Sequence, residues 1–132
     1  GAVVAGDAPA RPMGTYALTK ALSEEIAEYY ARRYKMEVVS LRIAAPIDTG
    51  RKSDHTEVVR PQRVPFSELA EVYQSALRVP LNEYRVVTVV GKDASHIWDT
   101  QAAQETLKYF PQWSHRAHGS TVGDLFSDVV AE

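Results

Sequence analysis

Residues 13–47 read MGTYALTKALSEEIAEYYARRYKMEVVSLRIAAPI, and they hold a complete helix signal followed by a complete strand signal. Leu18, Leu22, Ile26 and Tyr30 recur every four residues, flanked by Ala17, Ala21 and Ala27, and no proline falls between Met13 and Lys35. That spacing keeps apolar side chains on one helical stripe and predicts a helix over about residues 13–35. Glu28 and Arg32 add a favourable pair four apart. After Met36 the pattern changes. Val38, Val39, Leu41 and Ile43 form a β-branched run that Pro46 should end, the pattern of a strand buried on both faces in a parallel sheet.

Downstream, the same alternation of patterns repeats. DTGRKSDHTEVVRPQR (48–63) is polar, broken by Gly50 and Pro61, and reads as a long loop. VPFSELAEVYQSALRVP (64–80) places Leu69, Val72, Tyr73, Ala76 and Leu77 at helical spacing, with Ser67 as the expected cap. YRVVTVVGK (84–92) is a second apolar strand, closed by Gly91. DTQAAQETLKYF (99–110) is a shorter helix with Asp99 or Thr100 as its cap. Residues 1–12 read as loop, and Leu125, Phe126, Val129 and Val130 suggest a last helical turn.

Strand, helix and strand within about 55 residues imply a parallel crossover. The fold class is therefore α/β, a partial Rossmann-like unit in the order helix, strand, helix, strand, helix. Two parallel strands are too few for a sheet covered on both faces. Either further strands hide in the polar segments, or another chain completes the edge. We expect one domain over residues 1–132.

Composition narrows the function classes. The 132 residues are 45% hydrophobic and 24% charged, with a formal charge of −2. No global field favours nucleic acid or an anionic membrane surface, so neither is expected as a partner. Cysteine is absent, which removes thiolate metal sites and disulfides. No apolar run reaches the roughly 18 residues of a membrane span, and GAVVAGDAPARP lacks the basic start of a signal peptide. A cytoplasmic location is the expectation. His115 and His118, with His96 upstream, do not form a metal-ligand pattern, and no metal is expected. Trp98 and Trp113 read as packing residues.

The chemistry-bearing pair is Tyr16 and Lys20. Four residues on a helix return to one face after about 6 Å of rise. A phenol is a poor base at neutral pH, with a pKa of about 10, and a nearby cation favours the phenolate. Tyr and Lys so placed can form an acid/base couple that moves the proton of an alcohol while hydride leaves elsewhere. On spacing alone, two ordinary helix residues are the commoner case.

The wider run decides more. Spaced prolines (Pro9, Pro12), then Tyr16 and Lys20, an acidic residue at Glu24 or Glu25, and a strand with Val38, Leu41 and Arg42 resemble the catalytic helix and following strand of the extended short-chain dehydrogenase/reductase family. That branch contains NAD-dependent sugar-nucleotide epimerases, dehydratases and uronate-type dehydrogenases. The segments at 64–77 and 86–99 are similar to its later strands and helix, so the resemblance covers most of residues 9–113 and suggests the C-terminal half of such an enzyme. It implies that Tyr16 is the general acid/base. Lys20 would favour its phenolate and bond the nicotinamide ribose of NAD or NADP. Pro46 and Ile47 would meet the carboxamide end of the cofactor, and Thr49 a phosphate. The implied substrate is a sugar or sugar nucleotide, and the implied partner is a second copy, met through the helix of Tyr16 and Lys20.

Three departures qualify what the resemblance implies. The 132 residues contain no strand followed by G-x-G-x-x-G or G-x-x-G-x-x-G, so no turn stands ready for a pyrophosphate. Ala44-Ala45-Pro46 replaces the usual aromatic-Gly-Pro, and no serine precedes Tyr16, while Thr15 is adjacent and turned about 100° away. Little or no oxidoreductase activity is therefore expected of these residues alone, and the alternative is a non-catalytic dimerisation or interaction module of the same fold. The polar cluster Asp54, His55 and Glu57 reads as solvated loop. The basic residues Arg51, Lys52, Arg60 and Arg63 could meet a phosphate, without specific spacing.

Overall fold

The computed structural model describes residues 3–50 and 60–114. Helix α1 (Thr15–Tyr34) leads into β1 (Val39–Ile43) and β2 (Ala45–Ile47). After the long loop come β3 (Arg63–Pro65), α2 (Phe66–Ala76), β4 (Arg85–Val89), a 3-10 turn at Lys92–Ala94, and α3 (Gln101–Leu107). The expected α/β order and the three helices are present. The expected last helical turn at 125–130 lies outside the described residues.

β1 and β4 pair in parallel, Val39 against Arg85 through Ile43 against Val89. β2 and β3, also parallel, pair Ala45 with Arg63 and Ile47 with Pro65. Pro46 thus lies inside a short strand opposite Val64 and does not end one at that point, which corrects the sequence expectation. A proline lacks only the N–H, and a short strand with a free edge tolerates that loss. The line of β1 and β2 changes neighbour at Ala44, whose N–H still bonds Val89 O at 3.2 Å. Past that residue, β3 takes the place of β4, and the strands part at their carboxyl ends.

That parting leaves Gly91 against the start of β3. Gly91 N–H bonds Gln62 O at 3.2 Å, and a Cβ on Gly91 would stand 2.0 Å from Arg63 O. Only glycine lets the two backbones approach this closely.

The core lies on one face of this sheet. Val64, Leu69, Val72, Val87, Val89, Ala103, Leu107 and Tyr109 form it, with Val39, Leu41 and Ile43 packed against it. Each fully buried Val or Leu contributes about 1.5–3 kcal/mol. Helices α2 and α3 supply the cover. β1 was expected to be buried on both faces, yet all five of its residues are half-buried. The reason is alternation. Val39, Leu41 and Ile43 face the core, while Ser40 and Arg42 face the other way and bond Tyr84 and Glu24. Ser67 is not the cap of α2, because the helix begins at Phe66 after the extended Pro65. Thr100 is the N-cap of α3 without a side-chain capping bond, and Asp99 Oδ1 accepts from Gln101 N–H at 2.8 Å.

One buried carboxylate ties the far side together. Glu68, in the first turn of α2, accepts from Tyr109 Oη at 2.7 Å, Gln112 N–H at 3.0 Å and Trp113 N–H at 2.6 Å. Such a group is tolerable only when its lone pairs are filled. Burial, and then the Glu68 hydrogen bond and charge, push the Tyr109 phenol far above its ordinary range.

Two outcomes follow for stability. Gly91→Ala should cost about 3 kcal/mol or more, the upper range for overpacking against rigid backbone, read as a lower urea midpoint. For Tyr109, the phenol in the folded state holds its proton above the pH at which the unfolded one loses it. The unfolded chain then binds fewer protons, so stability is full below about pH 10 and falls as pH rises beyond it. In Tyr109→Phe this residue's share of that alkaline decline should vanish, as measured by denaturant titration at several pH values.

Candidate active site

α1 starts where the chain demands a glycine. Gly14 has φ +91°, a conformation that side chains disfavour, and its carbonyl accepts from Leu18 N–H at 3.0 Å. Tyr16 and Lys20 follow on the first two turns. The Lys20 ammonium lies over the Tyr16 ring, 5.4 Å from its centroid, within cation–π range. Tyr16 is 76% exposed and Lys20 is exposed, so both can be reached from solvent.

The sheet-facing side of α1 is unusual. Its less exposed residues are Ala17, Ala21, Glu24, Ala27, Glu28 and Ala31. Four alanines let the helix lie close to the strands, and one glutamate fastens it. Arg42 on β1 donates through Nε to Glu24 Oε1 at 2.8 Å and through Nη2 to Glu24 Oε2 at 2.7 Å. Its Nη1 donates to Ala8 O at 2.7 Å. This fork is bidentate and charge-assisted, the strong form of such contacts. The Glu24 carboxylate raises the Arg42 pKa further, so the cation is permanent.

The fork sets the height of the pair. α1 runs opposite to β1, and Glu24 is level with Arg42, one residue before β1 ends. The turns of α1 before Glu24, with Lys20 and Tyr16, therefore extend past the carboxyl end of β1, as does the chain at Ala45 and Pro46. Ligands of parallel α/β sheets bind outside those carboxyl ends, where strands part. Pro46 is exposed, Ile47 is half-buried, and Thr49 is exposed. Thr49 sits in a turn closed by Gly50 N–H on Asp48 Oδ1 at 3.0 Å. Arg60 and Arg63 are described, whereas Arg51, Lys52, Asp54, His55 and Glu57 lie outside the described residues, as do His115 and His118. Among the described residues, no group of three or more His, Asp or Glu is placed to hold a metal ion.

Beneath α1, Tyr84 Oη donates to Ser40 Oγ at 2.8 Å, and Thr88 Oγ1 donates to Gly6 O at 2.6 Å. Val4 forms a parallel bridge with Trp98. The segment read as plain loop is thus held by specific bonds, at Gly6 to β4 and at Val4 to residues 97–99. Sequence reasoning had Arg42 as a motif match without its Ala8 contact, and missed Glu68 and Thr88. Their partners are 34 to 82 residues distant, so no local pattern signals them.

Residues 3–63 match the family model of the NAD dependent epimerase/dehydratase family. The chain is similar to that family. A uronate dehydrogenase of Pseudomonas syringae pv. tomato is 31% identical over 106 residues, which cover 79% of this chain and 36% of that protein. The chain thus spans about a third of that relative's length. Among solved structures, a glucuronic acid dehydrogenase from Chromohalobacter salexigens matches at TM-score 0.70 and 18% identity, covering 92% of this chain and 46% of that one. A uronate dehydrogenase from Agrobacterium tumefaciens, a mutant complexed with NAD, matches at TM-score 0.69 and 18% identity, covering 94% and 47%. These structures establish the α/β fold with parallel strands. Among the described residues no helix is long and apolar enough to cross a membrane.

Glu24→Gln keeps the shape of the fork but removes its charge. We expect a loss of about 1–3 kcal/mol in stability, together with faster amide exchange over residues 8–20, measured by mass spectrometry. Arg42→Lys should do the same, because one ammonium cannot serve Glu24 and Ala8 O in the fork's fixed geometry.

Proposed function

We propose that this chain carries the catalytic segment of an NAD(P)-dependent sugar or sugar-nucleotide dehydrogenase, epimerase or dehydratase. Tyr16 is its acid/base and Lys20 the assisting cation. The observation that carries this reading is the pair itself, adjacent on α1 and held by the Arg42–Glu24 fork beyond the carboxyl end of β1. Similarity to proteins named uronate and glucuronic acid dehydrogenase favours a sugar acid as the substrate of the whole protein.

In this reading the Tyr16 hydroxyl takes or returns the proton of a sugar hydroxyl. The Lys20 charge stabilises the phenolate while that proton is away. The dinucleotide, when bound, supplies the hydride acceptor. Lys20 would bond its nicotinamide ribose, Pro46 and Ile47 would border the carboxamide, and Thr49 would face a phosphate. The residues described here fit only that nicotinamide end, because α1 opens on Gly14 without a glycine-rich turn after a strand. As a polypeptide of 132 residues it should have little or no oxidoreductase activity.

A second reading rests on the outward side of α1. Leu18, Leu22, Ile26, Tyr29, Tyr30 and Tyr34 are 47–60% exposed, a contiguous apolar surface of the kind that marks interfaces. It favours a homodimer through this helix, whether or not catalysis takes place.

Calorimetric titration with NAD⁺ and NADH should give no heat of binding at micromolar ligand, and micromolar affinity would overturn the expected inactivity. In a protein that also supplies the dinucleotide-binding part, Tyr16→Phe should lower kcat by about 100-fold or more, the usual scale of acid/base catalysis. Unchanged turnover there would remove Tyr16 from the mechanism.

A further inference from the structure

β4 has one edge paired with β1 and one edge turned away from it. Arg85 N–H donates to Val38 O at 3.0 Å, and Val89 O accepts from Ala44 N–H at 3.2 Å. In a parallel pair, alternate residues turn their backbone groups to the neighbouring strand. Arg85, Val87 and Val89 therefore face β1, and Val86 and Thr88 turn their N–H and C=O the other way. Among the described residues no strand stands on that side. Thr88 is buried, with its Oγ1 donating to Gly6 O at 2.6 Å. Val86 is half-buried, and among the described residues no hydrogen bond reaches its N–H or C=O.

Val86 lines a groove of about 390 Å³ at this edge, together with Asp7, Arg85, Asp99, Ala102 and Glu105. That volume is at the small end for a ligand site and suits a short stretch of chain. Three of the six side chains are carboxylates. Asp99 Oδ1 accepts from Gln101 N–H, and Glu105 Oε1 accepts from Gln101 Nε2 at 2.6 Å, which leaves each a second oxygen. The one cation of the six, Arg85, already pairs with Glu83 at 2.7 Å. The groove thus offers a backbone donor, a backbone acceptor and a surplus of negative charge.

That combination selects an occupant. A half-buried amide group without a partner costs free energy, and an extended chain added at the edge supplies both partners at once. A simple cation could answer the carboxylates but not the Val86 N–H. A second copy could answer the backbone, since open edges template their own kind, but it would bring like carboxylates together. An extended chain that bears cations satisfies both conditions. We propose that the open edge of β4 takes an extended peptide segment rich in Lys or Arg, its backbone paired with Val86 and its cations set against Asp7, Asp99 and Glu105. This binding surface is separate from the Tyr16–Lys20 pair and does not depend on the catalytic reading above.

Titration of the whole chain with a dye-labelled Lys-Val-Lys-Val-Lys peptide tests it, read by fluorescence anisotropy and by amide hydrogen exchange at Val86. Binding should saturate with a Kd below about 1 mM, and exchange at Val86 should slow by about tenfold or more. Glu105→Lys, at an exposed position, should weaken binding by about tenfold or more. The same peptide N-methylated at its central residues keeps the charge but loses the backbone donors, and it should bind more weakly by a similar factor. Equal binding of the methylated peptide, with Val86 exchange unchanged, would reduce the groove to charge attraction and overturn the strand pairing. Protection of Val86 that Glu105→Lys leaves intact would overturn the selection of a basic segment. No binding of the unmethylated peptide at millimolar concentration overturns the proposal outright and leaves the carboxylates as guards that keep the edge unpaired.

Discussion

The fork from Arg42 to Glu24 and Ala8 O is the contact on which the arrangement of the chain depends. α1 has one buried residue, Ala31, and turns its large apolar side chains outward. Hydrophobic burial therefore does little to hold this helix to β1 and β4. A part-buried ion pair adds modest net stability, because desolvation offsets much of the attraction. Its value is positional. A guanidinium bonding two carboxylate oxygens and a loop carbonyl permits one height and one rotation of α1 against the strand. That height carries Tyr16 and Lys20 past the end of the sheet.

The two faces of the β1–β4 sheet divide the labour. On one face, valines and leucines from β4, α2 and α3 make a dry core, closed by Glu68 and Tyr109. On the other, Ser40, Arg42, Tyr84 and Thr88 make a polar lattice that holds the N-terminal segment and α1. The first face supplies stability, and the second supplies position. Strand alternation produces both at once, since neighbouring residues of β1 serve opposite faces. Where the strands part, past the carboxyl end of β4, Gly91 lies against the backbone of Arg63.

Much of this was legible in the residues. Helical periodicity located α1 to within two residues at its start and one at its end, and located α2 closely. The strand at 39–43 and its partner at 85–89 were readable from β-branched runs. The Tyr16–Lys20 spacing and the motif around it pointed to the epimerase/dehydratase resemblance that the comparisons bear out. The burial of β1 was misread because Val38, Val39, Leu41 and Ile43 look continuous, while Ser40 and Arg42 are too few to display the alternation. Pro46 looked like a terminator because proline usually is one. The short β2–β3 ladder depends on pairing partners eighteen residues away, beyond the reach of a local pattern.

The sequence by itself determined which segments are helix or strand, that the strands run parallel, and which side chains could do proton chemistry. These are local matters, set by periodicity, propensity and spacing within one turn or one strand. Tertiary structure alone decided which face of each element is covered, where α1 sits along β1, and that its apolar side is left outward. Those outcomes rest on contacts between residues far apart in the chain. The Arg42 fork to Glu24 and Ala8, the Glu68 carboxylate among Tyr109, Gln112 and Trp113, and the bare Cα of Gly91 acquire meaning only once the chain has folded around them.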